Sequence, residues 1–409
     1  MLASEKENIT FCKGNSGLAL ITVIAVIAIL SILVLEFASR TLIDVDISAN
    51  FRDRVQAQYN AEAGLNYAIK MLRDDDASLD SLQDAWASPQ TIFIGDLVRH
   101  YRTAKDDEGK SDLEIEQEKQ EMPEPVDHGF GKAHIYIVDE ERKLNINRLI
   151  SARGTPDDNF RAIVSRLITS LEYPDVNVED LLDNITDWID SDDDGMAEKS
   201  SYYDYLDPPY EPANTFITSI YQLLLVKGMS RLILFGDTPY PPQKTGLEDE
   251  KEGDNINYEA LAATEYDVKK PVYGLSNFIT ASTRGAININ TATREVLMAL
   301  LDEQQYLVED IITKRMESPL QNMQEQIQPI FNNVSPDYFR SKRNYIAIRS
   351  NYFYVTSIGE FGSSRVKLVA LVYRASRNEI RVQYQRYENM SRFDKLPFPV
   401  QEWKNEEGS

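Results

Sequence analysis

The sequence predicts an α+β protein with a very long N-terminal helix, a large helical middle and an antiparallel sheet completed near the C-terminus. Three observations carry this prediction. Leu18–Leu35 is apolar and uncharged, and the sequence behind it keeps a helical pattern. From about Leu149 to Ala281 apolar residues recur at helical spacing. After Asn351 they alternate with polar ones, as half-buried strands require.

The N-terminal element comes first. Leu18–Leu35 holds 18 residues, interrupted only by the polar Thr22 and Ser31. Such a helix rises roughly 27 Å, just enough for a bilayer core. A secretory signal would have a shorter core followed by a small-residue cleavage site, whereas Glu36 and Arg40 follow here. Behind it, Leu65, Ile69 and Leu72 form a helical stripe, and no proline occurs before Pro89. One helix from about Leu18 to Arg73 would be roughly 80 Å long, half in the membrane and half above it. A simple anchor rarely needs that length.

The short polar leader with Lys13, the Gly17-Leu18 border and the long half-apolar helix together resemble the type IV pilin class. That resemblance implies cleavage by prepilin peptidase after Gly17, retention of the apolar helix, and methylation of Leu18 as the new N-terminus. Most members of the class carry a glutamate where this chain has Thr22. A carboxylate in hydrocarbon is costly unless paired, and in the class it meets the terminal amine of a neighbouring subunit. A subunit without it suits the end of a filament better than its shaft. An unprocessed single-pass anchor is the alternative.

Composition narrows the chemistry. The chain has 66 acidic and 43 basic residues, a net charge of −23. That charge repels nucleic acid and anionic lipid, and suits metal cations or basic partners if it does more than confer solubility. Cys12 is the single cysteine and precedes the apolar run, so a processed chain has no thiol. No Ser/His/Asp or HExxH arrangement can be built on His100, His128 or His134. The expectation is that the chain is not an enzyme.

The remaining elements follow in order. The run from about Gly95 to Asp127 is charged and poor in aromatics, as in a solvated insertion. Ala133, Ile135, Ile137 and Leu144 suggest a half-buried strand, with "DEERK" as a turn. Ile163, Leu167 and Leu171 line one helix face, and Leu181, Ile185 and Trp188 another. "ITSIYQLLLVKGMS" reads as helical, ending in a left-handed cap at Lys-Gly. "RGAININTATREVLMALL" switches from extended to helical, with Thr291 or Thr293 as N-cap, and "LVEDIITKRM" gives a further helix. "YFYVTSIGEF", "SRVKLVALVYRA" and "EIRVQYQRY" form a three-stranded antiparallel meander, and the residues after it read as a loose tail.

"DWIDSDDDGMAEKSSYYDY" is the best candidate for a chemical site. With Asp190 as position one of a calcium loop, Asp192 and Asp194 fall at three and five and Gly195 at six. Glu198 is at nine, but position twelve is Ser201 where a bidentate glutamate is required. A complete EF-hand is therefore rejected. A calcium loop of another design remains, to which Asp187, Glu198 and Asp204 could add oxygens; a solvated acidic loop is the alternative. "NINTATREVLMALL" with "VKGM" has some likeness to helix-hairpin-helix modules, but no basic-aromatic stripe accompanies it, so packing is favoured over nucleic acid.

Taken together, "GLALITVIAVIAIL" without the glutamate, "YNAEAGLNYAIKML", "DSLQDAWA", "DEERKLNINRL", "LLDNITDWIDSDDDG", "YYDYLDPPYEPAN", "SIYQLLLVKGM" and "AININTATREVL" resemble the protein K family of type II secretion systems, the large minor pseudopilins. The pieces occur in the family's order from Gly17 to about Leu300. The resemblance implies a pseudopilin fold: the long helix packed on an antiparallel sheet, with an all-helical domain inserted before the last strands. The division expected is a leader 1–17, an N-terminal helix 18–73 (membrane-spanning over 18–35), and a first α/β part 74–148. An inserted helical domain 149–284, a second helical segment with the last strands 285–390, and a tail 391–409 complete it.

The resemblance further implies a tip subunit of the pseudopilus that helps initiate its assembly and the export of folded proteins across the outer membrane. Minor pseudopilins I and J, prepilin peptidase and the inner membrane would be its partners, with the bulk of the chain in the periplasm. It also implies structural calcium in the helical domain, which favours Asp190, Asp192 and Asp194. A minor pilin-like component of a type IV pilus or DNA-uptake machine is the competing reading.

Overall fold

The structure is a computed structural model that describes residues 16–97, 129–151, 153–191, 202–237, 272–283, 285–390 and 394. Helix α1 (Ser16–Asp74) is a single uninterrupted rod of 59 residues, as the absence of proline and the continuous pattern require. It contains Gly17 and Leu18. The strands are β1 (Gln90–Phe93), β2 (Lys132–Asp139), β3 (Leu144–Asn145), β4 (Ile279–Thr280), β5 (Ile287–Asn288), β6 (Ile346–Ala347), β7 (Tyr352–Phe361), β8 (Ser364–Ser376) and β9 (Glu379–Met390). Five of them make one antiparallel sheet in the order β1-β2-β7-β8-β9. The expected meander is thus its C-terminal part, and β1 is an additional edge strand. Leu144 does not continue β2, because a 3-10 turn over Glu140–Arg142 intervenes; it pairs in parallel with Ile279 of β4 instead.

Two apolar cores divide the described residues. In the smaller, Ala61, Leu65, Ala68 and Leu72 of α1 meet Ile135, Ile137, Phe353, Val355, Leu368, Ala370 and Val372 of the sheet. The helix approaches unusually closely, because both surfaces are small. A Cβ on Gly359 would lie 2.0 Å from the Ala57 carbonyl oxygen and 2.4 Å from the Ala61 nitrogen. A Cβ on Gly64 would meet the Ser357 Oγ at 2.1 Å. Asn60 locks the register, its side-chain amide donating to the carbonyls of Phe130 and Glu360, both at 2.8 Å.

The larger core runs from Leu144 to Ile346. It is built by α2 (Asp158–Ser170), α3 (Val178–Ile189), α4 (Arg231–Phe235), α5 (Arg294–Leu300), α6 (Gln305–Glu317), α7 (Gln328–Asn332) and α8 (Pro336–Lys342). The helices over 294–342 pack into this core and not onto the sheet, so position 284 is no boundary between cores. Residues 220–225 are a 3-10 helix where an ordinary helical pattern was expected, although Gly228 takes the left-handed conformation foreseen for it (φ 84°). Of the two candidate caps, Thr293 accepts from the Val296 amide. Thr291 instead points into a buried polar junction.

That junction joins the cores. Arg374 of β8 is fully buried; it pairs with Asp80, and with Asp75 at 3.0 Å, and donates to the Leu72 carbonyl at the end of α1. Asn288 donates to the Asp80 carbonyl at 3.0 Å and to the Asp139 carboxylate at 3.2 Å. Ser350 donates its amide to Asp80 (2.7 Å) and its hydroxyl to Asp139 (2.6 Å), and Thr291 donates to Asp139 at 2.5 Å. Burial pushes the Asp80 carboxyl up to about 7, with the Arg374 guanidinium pulling the other way. Burial likewise raises Asp139.

The sheet face turned away from α1 carries ion pairs. Glu360 sits between Lys132 (3.3 Å), His134 (3.4 Å) and Arg365. Burial opposes ionisation of Glu360, but the His134 hydrogen bond and the charges of His134, Lys132 and Arg365 outweigh it and lower its carboxyl to about 2.

Two predictions follow from this packing. Gly359→Ala should destabilise the folded chain by about 1–3 kcal/mol or abolish folding, since backbone cannot yield as a side chain can. Thermal denaturation monitored by circular dichroism reads this directly, and an unchanged midpoint would refute the close approach. The folded Glu360 carboxyl lies below its ordinary value, so its contribution is present above pH 4.5 and fades as pH falls toward about 2. Glu360→Gln should therefore cost on the order of 1–3 kcal/mol at pH 7. The gap from the parent should narrow steadily in denaturant melts taken from pH 5 down to pH 3.

Candidate functional site

The membrane-facing part of α1 is the first functional element. Its apolar window has a mean hydropathy of 2.9 and none of it is buried against the rest of the chain. Thr22 lies on this exposed stretch. The exposed apolar residues do not stop at Leu35, however. Phe37, Leu42, Ile43, Val45, Ile47 and Phe51 are also more than half exposed, interleaved with Glu36, Arg40, Asp44 and Asp46. The Glu36–Arg40 pair closes one helical turn at 2.6 Å. Only from Ala57 onward does the sheet cover the helix.

The acidic segment is the second. Helix α3 begins at Asn177, whose side chain caps the amides of Glu179 and Asp180, and ends at Ile189. Asp187 lies in its last turn and Asp190 is the C-cap, its amide donating to the Thr186 carbonyl at 2.9 Å; both residues are half-buried. Beyond the acidic segment the chain returns to the same helix end. Trp188 is buried edge-on against Tyr203 (5.7 Å) and Tyr210 (6.2 Å). The Tyr203 hydroxyl accepts from the Lys227 amide at 3.3 Å. Burial first, and then charges that include Asp187, push that hydroxyl up to about 12.

The residues flanking the segment thus meet in one aromatic cluster, with Asp187 and Asp190 at the end of α3 and Asp204 beside Tyr203, but among the described residues these three carboxylates do not form a group with metal-like spacing. Asp204 is exposed, in the 3-10 turn Tyr203–Tyr205. Asp192, Asp194 and Glu198 lie outside the described residues. The donor chemistry fits a hard cation. Two half-buried carboxylates sit at a helix C-terminus, where the helix dipole is already negative.

A different acidic cluster has metal-like spacing: the carboxylates of Asp75, Asp80 and Asp84 lie within 4.8 Å of one another. Its positive charge is already supplied by Arg374. Asp84 is further occupied by the Ser81 amide (2.7 Å) and hydroxyl (3.0 Å). This cluster is structural, and it lacked any regular spacing by which the sequence could reveal it. His134 is also structural: it is buried in β2, with Thr91 Oγ1 2.9 Å from its Nδ1. His100 and His128 lie outside the described residues.

Residues 142–236, the stretch containing α2, α3 and the acidic segment, match the family model for type II secretion system protein K. A protein of that name from Pseudomonas aeruginosa is 24% identical over 388 residues, spanning 90% of this chain and 92% of that protein. Another, from Aeromonas hydrophila, is 24% identical over 247 residues, 56% of this chain and 63% of that protein.

Residues 142–236 are similar to the first domain of type II secretion system protein K, and most of the chain is similar to a relative of that name.

Among solved structures it is similar to a chain of the GspK–GspI–GspJ complex of enterotoxigenic Escherichia coli, with TM-score 0.49, 16% identity, and coverage of 84% of this chain and 99% of that one. The matched stretch is the first part of the helical lobe. The helix-on-sheet core lies outside that match and within the long similarity to the Pseudomonas aeruginosa protein.

Proposed function

We propose that the chain is a minor pseudopilin at the tip of a type II secretion pseudopilus, where it helps initiate assembly and supports export of folded proteins across the outer membrane. The protein K domain match over residues 142–236, with the similarity of most of the chain to a relative of that name, is the observation that carries this reading. The exposed apolar half of α1 supports it, because a helix with apolar residues both within and beyond one bilayer span needs other helices around it. Thr22, where stacking subunits carry a carboxylate, and the bulk of the helical lobe suit a subunit that ends a filament. The partners proposed are minor pseudopilins I and J, reached through this helix. The role is structural and not enzymatic.

On this reading prepilin peptidase cuts after Gly17, Leu18 becomes the methylated N-terminus, and the single-pass helix holds the chain in the inner membrane with its bulk in the periplasm. Calcium is proposed as a structural ion held by oxygens drawn from Asp187, Asp190, Asp192, Asp194, Glu198 and Asp204. It would offset the negative charge gathered at the end of α3 and fix the loop against Trp188 and Tyr203.

Replacing Gly17 by a bulky residue should leave an uncleaved chain, visible by its mass, and stop export of secreted proteins from the cell. Normal processing of that variant, or normal export without processing, would count against the assignment. For the metal, calcium added to metal-free protein should raise its melting temperature by several degrees and chelator should reverse this. Terbium at the same site should luminesce on excitation of Trp188 and Tyr203, and calcium should quench it by competition. Terbium emission that survives in Asp190→Asn together with Asp192→Asn would place the ion elsewhere.

A further inference from the structure

Alternation along the strands decides what the outer sheet face carries. Phe353 and Val355 of β7 and Ala370 and Val372 of β8 pack toward α1, so Tyr354 and Leu371 project the other way. Tyr384 of β9 is the partner of Leu371 and joins them, and Arg386 follows two residues on. Facing these side chains is the 3-10 helix Ile220–Leu225 of the lobe, whose Tyr221 ring leans on Phe235 at 5.5 Å. Between the two walls lies a groove of about 550 Å³, a size that suits a small-molecule ligand.

The charges of the groove are already committed. Arg386 pairs with Glu388 at 2.7 Å and donates to the Tyr221 hydroxyl at 2.8 Å. Lys143 pairs with Glu140 at 3.0 Å. A charged ligand would have to displace one of these partners and leave a half-buried ion without its counter-charge. The groove therefore suits a neutral ligand.

What the groove offers such a ligand is aromatic surface and hydroxyls. Tyr221 and Tyr384 are 44% and 42% exposed, and the Tyr384 and Tyr354 hydroxyls meet at 3.4 Å. Ser219, Ser276, Thr280 and Ser282 line the same groove with hydroxyls, each able to donate and to accept. A wholly apolar ligand would take these hydroxyls out of water and return no hydrogen bond. A rigid ring with apolar C–H faces and hydroxyl edges meets both demands. Its faces lie on the tyrosine rings, and its edges exchange hydrogen bonds with serine and threonine. A pyranose sugar is such a ring.

We propose that the groove between the outer sheet face and the helical lobe binds a neutral oligosaccharide, with Tyr384 and Tyr221 as its stacking surface and the hydroxyls of Ser276, Thr280 and Ser282 as its polar partners. The groove lies on the side of the sheet opposite α1, so it stays open to ligand while that helix is in a membrane or packed on other helices. The site does not depend on the pseudopilin reading, which makes no use of this face.

The test uses the full chain in micelles of a detergent without a sugar headgroup, with maltotriose, cellotriose and triacetylchitotriose as neutral probes. Saturation-transfer difference NMR should show transfer to the ring C–H protons of at least one probe, saturating below about 10 mM. Tyr384→Ala and Tyr221→Ala should each weaken that binding about fivefold or more, whereas Tyr384→Phe, which keeps the ring, should stay within about twofold of the parent. Circular dichroism melts confirm that the variants fold. A galacturonate trimer, similar in shape but anionic, should bind more weakly than the neutral probe. The absence of saturable transfer to every neutral probe would overturn the proposal, and so would binding unchanged in both alanine variants. Tighter binding of the galacturonate trimer would overturn the assignment to a neutral sugar.

Discussion

Arg374 is the residue on which the architecture turns. It sits fully buried on the sheet and faces three other parts of the chain: the last carbonyls of α1, the Asp75–Asp80 loop behind it, and the approach to β7. An unpaired buried guanidinium is prohibitively costly, so these segments must arrive together for any of them to settle. Asp80 passes the constraint onward through Asn288 and Ser350 to Asp139, and Asp139 passes it through Thr291 to the helical lobe. The two cores are separate as apolar clusters, and this polar junction is what fixes one against the other.

Helix α1 shows how one element can serve two solvents. From Leu20 to Phe51 its side chains contact little of the protein, and from Ala57 its small residues let the backbone nest against Gly359 and Ser357. The change of surface is written in residue size more than in hydrophobicity. Large aliphatic residues serve the part that meets lipid and other helices, and alanine and glycine the part that meets the sheet.

Much of this was legible in the sequence where a single period ran long enough. The uninterrupted helix, the helices around Leu167 and Ile185 and the final meander all follow from spacing alone. The features that escaped it share a physical cause, which is that they depend on partners distant in sequence. Strand β1 has four residues, too few to show alternation. Leu144 reads as an extension of β2 and is instead held by Ile279, and Ile220–Leu225 carries an apolar helical pattern but tightens into a 3-10 turn. Asp80, Asp139 and Arg374 look like ordinary surface charges until the fold buries them. For the acidic segment the sequence offered carboxylates at the end of α3, and the structure adds the contact between residues on either side of it: Trp188 and Tyr203, aromatic residues whose contact no local pattern announces.

The continuity of α1 has a mechanical consequence. A hydrogen-bonded helix is stiff along its axis, and this one meets the sheet through backbone contacts too tight for a side chain to intervene. An axial displacement at the membrane end therefore cannot be absorbed by sliding at Gly64 and Gly359. The contacts it would meet are those to β7 and, beyond them, the Arg374 and Asp139 junction with the helical lobe. The rod and the sheet are thereby joined through packed backbone, and the helical lobe is tied to both through the buried charges of Arg374 and Asp139.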